Sequence, residues 1–189
     1  MERLTPLTPS AVDLSKLRNE NSIAGSSIDL SYVLSTLDEF QYEFIDLKFL
    51  GGGNFKRLEA HLLHKAAGLI KRVKGRHEHL PALVRTELLE ALSDGTCEVC
   101  EGSGFNYDET KVYPCDNCRT TGKAKVSLKT KIRWYAQTRY ELRKEQGKEA
   151  DIGQYRKDYV KYIRDAYDIN SIVTNSLNEA NEKIKRRLR

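Results

Sequence analysis

The chain has 189 residues, of which 39% are hydrophobic and 31% charged, a balance that suits a soluble helical protein with a modest core, built as one domain or one body with an inserted module. No run of about 18 apolar residues is present to span a bilayer, and the N-terminus lacks the charged-then-apolar pattern of a signal peptide, so a cytoplasmic, membrane-free location is expected. The net charge of +5 divides unevenly: residues 1–118 carry 13 Lys+Arg and 18 Asp+Glu, a net of −5, whereas residues 119–189 carry 19 and 9, a net of +10. A regional excess of cations is what a phosphate-binding surface looks like in sequence. A solvated helical surface rich in Lys and Arg is the plainer alternative.

Residues 1–27 contain Pro6, Pro9 and many Ser, Thr and Asn, and read as a flexible tail. From Asp29 the apolar residues Leu30, Val33, Leu34, Leu37, Phe40 or Gln41, Phe44, Ile45 and Leu47 recur at helical spacing, predicting one helix to about Phe49. Gly51-Gly52-Gly53 then break it. No Lys-Ser or Lys-Thr follows and no strand precedes, so the triplet reads as a connector and not a phosphate cradle. Asn54 is a candidate cap for a second helix, with Phe55, Leu58, Leu62, Ala66, Leu69, Ile70 and Val73 on one stripe. His61 and His64 lie in it without a third metal ligand and read as ordinary helix residues. Lys71 to His79 is a basic connector. Pro81 opens a third helix through Leu92, and Gly95 stops it.

The next stretch holds all four cysteines of the chain, Cys97-x-x-Cys100 and Cys115-x-x-Cys118. Two residues between cysteines let one tight turn aim both thiolates at the same ion, and two such turns complete the four-thiolate tetrahedron that a structural zinc prefers. Glycines follow each pair, where positive φ and free N–H groups facing the sulfurs are useful. Two disulfides are the alternative, set against the expected reducing compartment, and a redox C-x-x-C would need a βαβ setting that is missing. Four cysteines also close the shell, so one Zn2+ held by Cys97, Cys100, Cys115 and Cys118 would be structural. Phe105 to Pro114, between the pairs, reads as a small ribbon.

Ser127 is expected to cap a helix running to about Gln146, with Leu128, Ile132, Tyr135 and Leu142 on its apolar face and Lys129, Arg133, Gln137, Tyr140 and Lys144 on another. Arg139 falls on the apolar side, where it must snorkel or pair. After Gly147–Asp151, the pair Asp151 and Gln154 resembles a capping box. In the helix it opens, Tyr155, Tyr159, Tyr162, Ile163 and Ala166 face inward, while Lys157, Lys161 and Arg164 face out together. This pair of helices is compatible with a helix-turn-helix. A last helix is expected from Asp168 to Arg189, with Ile169, Ile172, Val173, Leu177, Ala180, Ile184 and Leu188 inward and a basic end at Lys183, Lys185, Arg186, Arg187 and Arg189, a sign favoured there by the helix dipole.

The expected fold is therefore mainly α. A tail (1–27) and an N-terminal helical part (28–95) precede an inserted four-cysteine zinc finger (96–125) and a basic, helix-turn-helix-like part (126–189). No Ser/His/Asp set, P-loop or metal-hydrolase motif appears, so no enzyme is expected. Lys129, Arg133, Lys157, Lys161 and Arg164 are the candidates for DNA contact, with Gln154 and Arg156, near the start of the second helix, the candidates for base edges.

The module C-x-x-C-x-G-x-G…C-x-x-C resembles the zinc module of J-domain chaperones, which carry more copies and a His-Pro-Asp signature that this chain lacks. In length and order of parts, over about residues 50 to 180, the chain more closely resembles the lambda-type late antitermination protein Q family of lambdoid phages. Tyr159-Val160-Lys161-Tyr162-Ile163 through Ile172-Val173-Thr174-Asn175-Ser176-Leu177-Asn178-Glu179-Ala180 is similar to that family's ending. Thr120 departs from it, standing where a glycine is expected. The resemblance implies a factor that binds double-stranded DNA at a phage late promoter in a bacterial host cell. It would engage RNA polymerase paused by the sigma factor, with the host factor NusA as helper, and carry the enzyme past terminators without covalent chemistry. A chaperone-like or other nucleic-acid-binding interaction module is the alternative.

Overall fold

The computed structural model describes residues 32, 34–69, 78–108 and 110–187. The tail over 1–27, most of the 71–79 connector, and Leu188 and Arg189 lie outside them. The described chain is mainly helical, with one small two-stranded sheet: α1 (Glu39–Ile45), a π-helical turn (Asp46–Leu50), α2 (Phe55–Leu69), α3 (Leu80–Leu92), β1 (Phe105–Asp108), β2 (Lys111–Pro114), α4 (Leu128–Glu145), α5 (Ile152–Lys161) and α6 (Ile163–Arg187). Two compact units result, one formed by the chain up to Arg72 with Asp168 onward, the other by Val73–Tyr167.

In the first unit, the single helix expected from Asp29 to Phe49 is interrupted. Asp38 starts α1 with a full capping box: its carboxylate accepts from Gln41 N at 2.8 Å, and Gln41 Oε1 accepts from Asp38 N at 3.1 Å. This satisfies two N–H groups that a helix start would otherwise orphan. Gln41 is fully buried, yet its amide is satisfied: Nε2 donates to the Ser176 carbonyl at 3.0 Å, and Oε1 also accepts from Lys183 Nζ at 3.0 Å. Apolar contact does the rest. Ile45, Ala180 and Ile184 form a buried cluster, with Leu34, Leu37 and Phe49 against it.

The glycine triplet is a connector, as expected, and it folds around Asp46, whose Oδ2 accepts from Gly53 N at 2.8 Å. Asn54 caps α2 by accepting from Arg57 N at 3.2 Å. Glu43 anchors the same corner, accepting from Asn54 N at 3.0 Å and from Arg57 Nη1 at 2.8 Å. The Asn54 hydrogen bond, helped by Arg57 against burial, holds the Glu43 carboxyl below its usual range. Leu58, Leu62 and Ala66 of the predicted stripe are buried.

In the second unit, α3 begins with Pro81 in its first turn and buries Leu80, Ala82, Leu83, Val84 and Leu88. Ser127 caps α4 by accepting from Thr130 N at 3.1 Å. Three expectations need correction here. Leu128 is 51% exposed and not part of the apolar face, because it sits at the first turn, ahead of the packed part of the helix. The helix after Asp151 does not run on to Ala166. It ends at Lys161, with Tyr162 as its C-cap, and α6 starts at Ile163 and not at Asp168. Nor is the capping box at Asp151 completed: Asp151 Oδ1 accepts from Gly153 N at 2.8 Å, but the Gln154 amide turns along the helix to Asp158 at 3.1 Å.

Candidate metal centre and cation-rich helix face

The two cysteine turns share a set of hydrogen bonds. Ser103 N donates to the Cys100 carbonyl at 2.9 Å, and Thr121 N to the Cys118 carbonyl at 3.1 Å. The Ser103 hydroxyl donates to Cys100 O at 2.7 Å, as the Thr121 hydroxyl does to Cys118 O at 2.6 Å. The halves are then crossed. Cys97 N donates to Gly122 O, and Cys115 N to Gly104 O, both at 2.9 Å. A bridge between Thr96 and Lys123 closes one side as the ribbon closes the other, β1 and β2 pairing antiparallel from Phe105 opposite Pro114 to Asp108 opposite Lys111. The predicted ribbon at Phe105–Pro114 is therefore present.

The crossing demands glycine at two points. A Cβ on Gly104 would lie 2.4 Å from Thr120 O, and one on Gly122 would lie 2.2 Å from Gly102 O, with φ at +80° and +70°. Only glycine gives both that conformation and that approach.

The crossing brings the four sulfurs together. Cys97 Sγ lies 3.8 Å from Cys115 Sγ and Cys100 Sγ 3.6 Å from Cys118 Sγ, all four within 4.8 Å of one another, buried, and free of disulfides. Such a cluster could hold a metal ion, since thiolates in so small a buried space need a cation. Donors already face two of the sulfurs: Asn117 Nδ2 at 3.1 Å from Cys97 Sγ, and Gly104 N at 3.3 Å from Cys100 Sγ. The Asn117 amide draws the Cys97 thiol down to about 6, whereas burial pushes Cys118 up to about 11. Asn117 was not legible from the cysteine spacing. His61 and His64 join no such cluster among the described residues; His61 Nε2 sits 3.5 Å from Glu39 instead.

The cysteine cluster is tied to neighbouring helices. The Thr130 hydroxyl donates to Glu98 at 3.0 Å, and the next residue, Lys131, reaches the fully buried Glu87 at 2.8 Å and Glu90 at 2.7 Å. Burial alone would lower the Lys131 ammonium, but the two carboxylates outweigh it and hold it above the ordinary lysine range. Arg139 is buried, as its place on the apolar side requires. It donates to the Glu78 carbonyl and lies over the Tyr155 ring at 5.3 Å.

All seven residues singled out for DNA contact are exposed. Lys129 and Arg133 lie one turn apart on α4. On α5, Tyr155 and Tyr159 are buried, which turns Lys157, Lys161 and Val160 to the outside, with Arg164 one turn on in α6. Gln154 and Arg156 flank that outer face from opposite edges, about 160° apart at 100° per residue. Lys161 pairs with Asp158 at 2.9 Å, and among the described residues Arg156, Lys157 and Arg164 have no carboxylate partner. Val160 is 56% exposed in the middle of this face, although a valine in a helix is normally core. No described helix is long and apolar enough to cross a membrane.

No family model, curated protein or solved structure matches the chain.

Proposed function

We propose that this protein is a zinc-containing, DNA-binding transcription antitermination factor of the phage Q type. It binds an element at a late promoter, engages RNA polymerase held nearby by the sigma factor, and carries the enzyme past terminators, with NusA as helper. The observation that carries the DNA part is the exposed cation face of α5 and the start of α6, Arg156, Lys157, Lys161 and Arg164, on a short helix that follows α4 through a turn in the manner of a helix-turn-helix. Phosphate contacts from such a face position the protein, and Gln154 or Arg156 at its edges is placed to read bases. Val160 supplies an apolar contact of the kind that a thymine methyl accepts.

The ion is zinc. Metal–sulfur bonds of about 2.3 Å in a tetrahedron give sulfur–sulfur edges of about 3.8 Å, against 3.8 and 3.6 Å across the two cysteine pairs. Four thiolates fill the tetrahedron and leave no place for a water nucleophile, so the ion acts as a cross-link that holds the two turns against each other.

The test is transcription in vitro on a template with a late promoter of the host phage ahead of an intrinsic terminator. Readthrough that rises on adding the protein and falls back with Arg156, Lys157 and Arg164 changed to Ala supports the reading. Unchanged termination by a protein that is fully bound to the template contradicts it. A second reading, a chaperone-like interaction module, draws on the exposed apolar side chains of the ribbon; it requires affinity for unfolded chains and indifference to DNA.

A further inference from the structure

Aligned on their cysteines, the two turns place Asn117 in the second where Val99 stands in the first. The difference reaches the sulfurs. Asn117 Nδ2 donates not within its own turn but to Cys97 Sγ of the other, at 3.1 Å. Val99 is 58% exposed, and its side chain has no donor to return to Cys115. The backbone treats the two turns more evenly: Gly104 N donates to Cys100 Sγ at 3.3 Å, and Gly122 N acts likewise on Cys118. The side-chain donor is therefore what makes Cys97 unlike Cys115.

Asn117 is exposed, whereas the sulfur it covers is fully buried. An exposed amide has water as a ready partner, and a neutral thiol is a weak acceptor, so little holds this side chain inward unless the sulfur carries charge. A thiolate does hold it, because charge-assisted hydrogen bonds are about twice as strong as neutral ones. Four thiolates around one divalent cation leave negative charge in excess, here in a buried space. A donor aimed at one of the sulfurs spreads part of that charge and fixes the ligand in place.

We infer that Asn117 is a positioning residue of the metal centre: its amide straps the second turn onto the Cys97 sulfur of the first, takes up charge from the metal-bound thiolate, and so sets how tightly the ion is held. This role rests on the zinc reading above and not on the DNA-binding part of the proposed function.

The experiment titrates the full, reduced chain with Zn2+ against a chromophoric chelator, and then with Co2+, whose sulfur-to-metal charge-transfer band reports the electron density on the thiolates. Asn117→Leu removes the donor and keeps a side chain of similar size. Its zinc affinity is expected to fall by about 10–100-fold. Its cobalt band should move to longer wavelength, because a thiolate that has lost a hydrogen bond gives up an electron more easily. Asn117→Asp turns a carboxylate toward the sulfur and should weaken binding further. Val99→Leu, at the matching position of the first turn, should change neither affinity nor band. Unaltered zinc affinity in Asn117→Leu overturns this role. A loss of affinity with the cobalt band unmoved overturns it too, since Asn117 would then act only through the packing of its turn. If the unaltered chain takes up neither ion at one per chain, the zinc reading falls and the role of Asn117 falls with it.

Discussion

Thr120 takes the backbone position in the second cysteine turn that Gly102 takes in the first, with φ of +68° against +88°. A β-branched residue in that region carries strain of about 1–2 kcal/mol. Its carbonyl also supplies the wall that Gly104 approaches. Thr120→Gly should relieve the strain, offset by roughly 0.5–1 kcal/mol of added freedom in the unfolded chain. The net gain predicts a melting temperature a degree or two higher for the zinc-loaded protein, from a relation of about 2–4 °C per kcal/mol at this chain length. A lower melting temperature would show that the Thr120 side chain makes a contribution larger than its strain.

The converse change is Gly104→Ala. With the added Cβ 2.4 Å from Thr120 O and φ at +80°, the two turns must separate and the Cys115 N–H bond to Gly104 O must stretch. Zinc should be lost to a chelator much faster than from the unaltered protein. Gly68→Ala on α2 meets nothing within 4 Å and serves as the matched control; it should be stabilising by about 1 kcal/mol through helix propensity alone.

Lys131 pairs with both Glu90 and the fully buried Glu87. Lys131→Met removes the ammonium from the fully buried Glu87 carboxylate, which also accepts from the Tyr159 hydroxyl at 3.4 Å, and a loss of roughly 3–5 kcal/mol is expected in chemical denaturation. Pairing it with Glu87→Leu removes the buried charge as well and should recover most of that loss. Independent, additive losses in the two single variants would contradict the pairing.

His79 gives a dependence on pH. Its ring stacks on Tyr162 at 4.1 Å and hydrogen-bonds the Tyr135 hydroxyl, both within the second unit. Burial, then the charge of Arg139, hold its pKa below the usual 6.5, against the opposing pull of Asp158 and Glu78. Between the lowered folded value and 6.5 the unfolded chain binds a proton that the folded chain does not, so stability falls as pH is lowered through that window and is fully present above it. His79→Gln should flatten this part of the stability profile. A slope that survives the change must come from another group.

Where the sequence was legible, a local rule was strong. The cysteine spacing and following glycines placed the four-cysteine cluster, and Pro81, Ser127 and Asn54 marked helix starts that the structure reproduces. Where it misled, tertiary contacts decided. Helical periodicity runs unbroken through Asp38, yet Asp38 and Gln41 form a capping box, and the partner of Gln41, Ser176, lies 135 residues away. The Asp-x-x-Gln pattern was the available signal. The end of α5 at Lys161, with Tyr162 as its C-cap, carries no glycine or proline; it coincides with the Tyr162 ring stacking on His79, a contact with no trace in local sequence. The doubled geometry of the two turns was half visible, in Gly104 and Gly122, and half hidden, because Thr120 stands where Gly102 would predict glycine.

The most direct test of the account is the salt dependence of DNA binding by the full chain and by a variant with Lys157, Lys161 and Arg164 changed to Ala. Each phosphate contact contributes about 0.9 to the slope of log affinity against log salt. The account predicts steep weakening with salt for the unaltered protein, and a slope shallower by about 2–3 in the variant. The same slope and the same affinity in both proteins would contradict it.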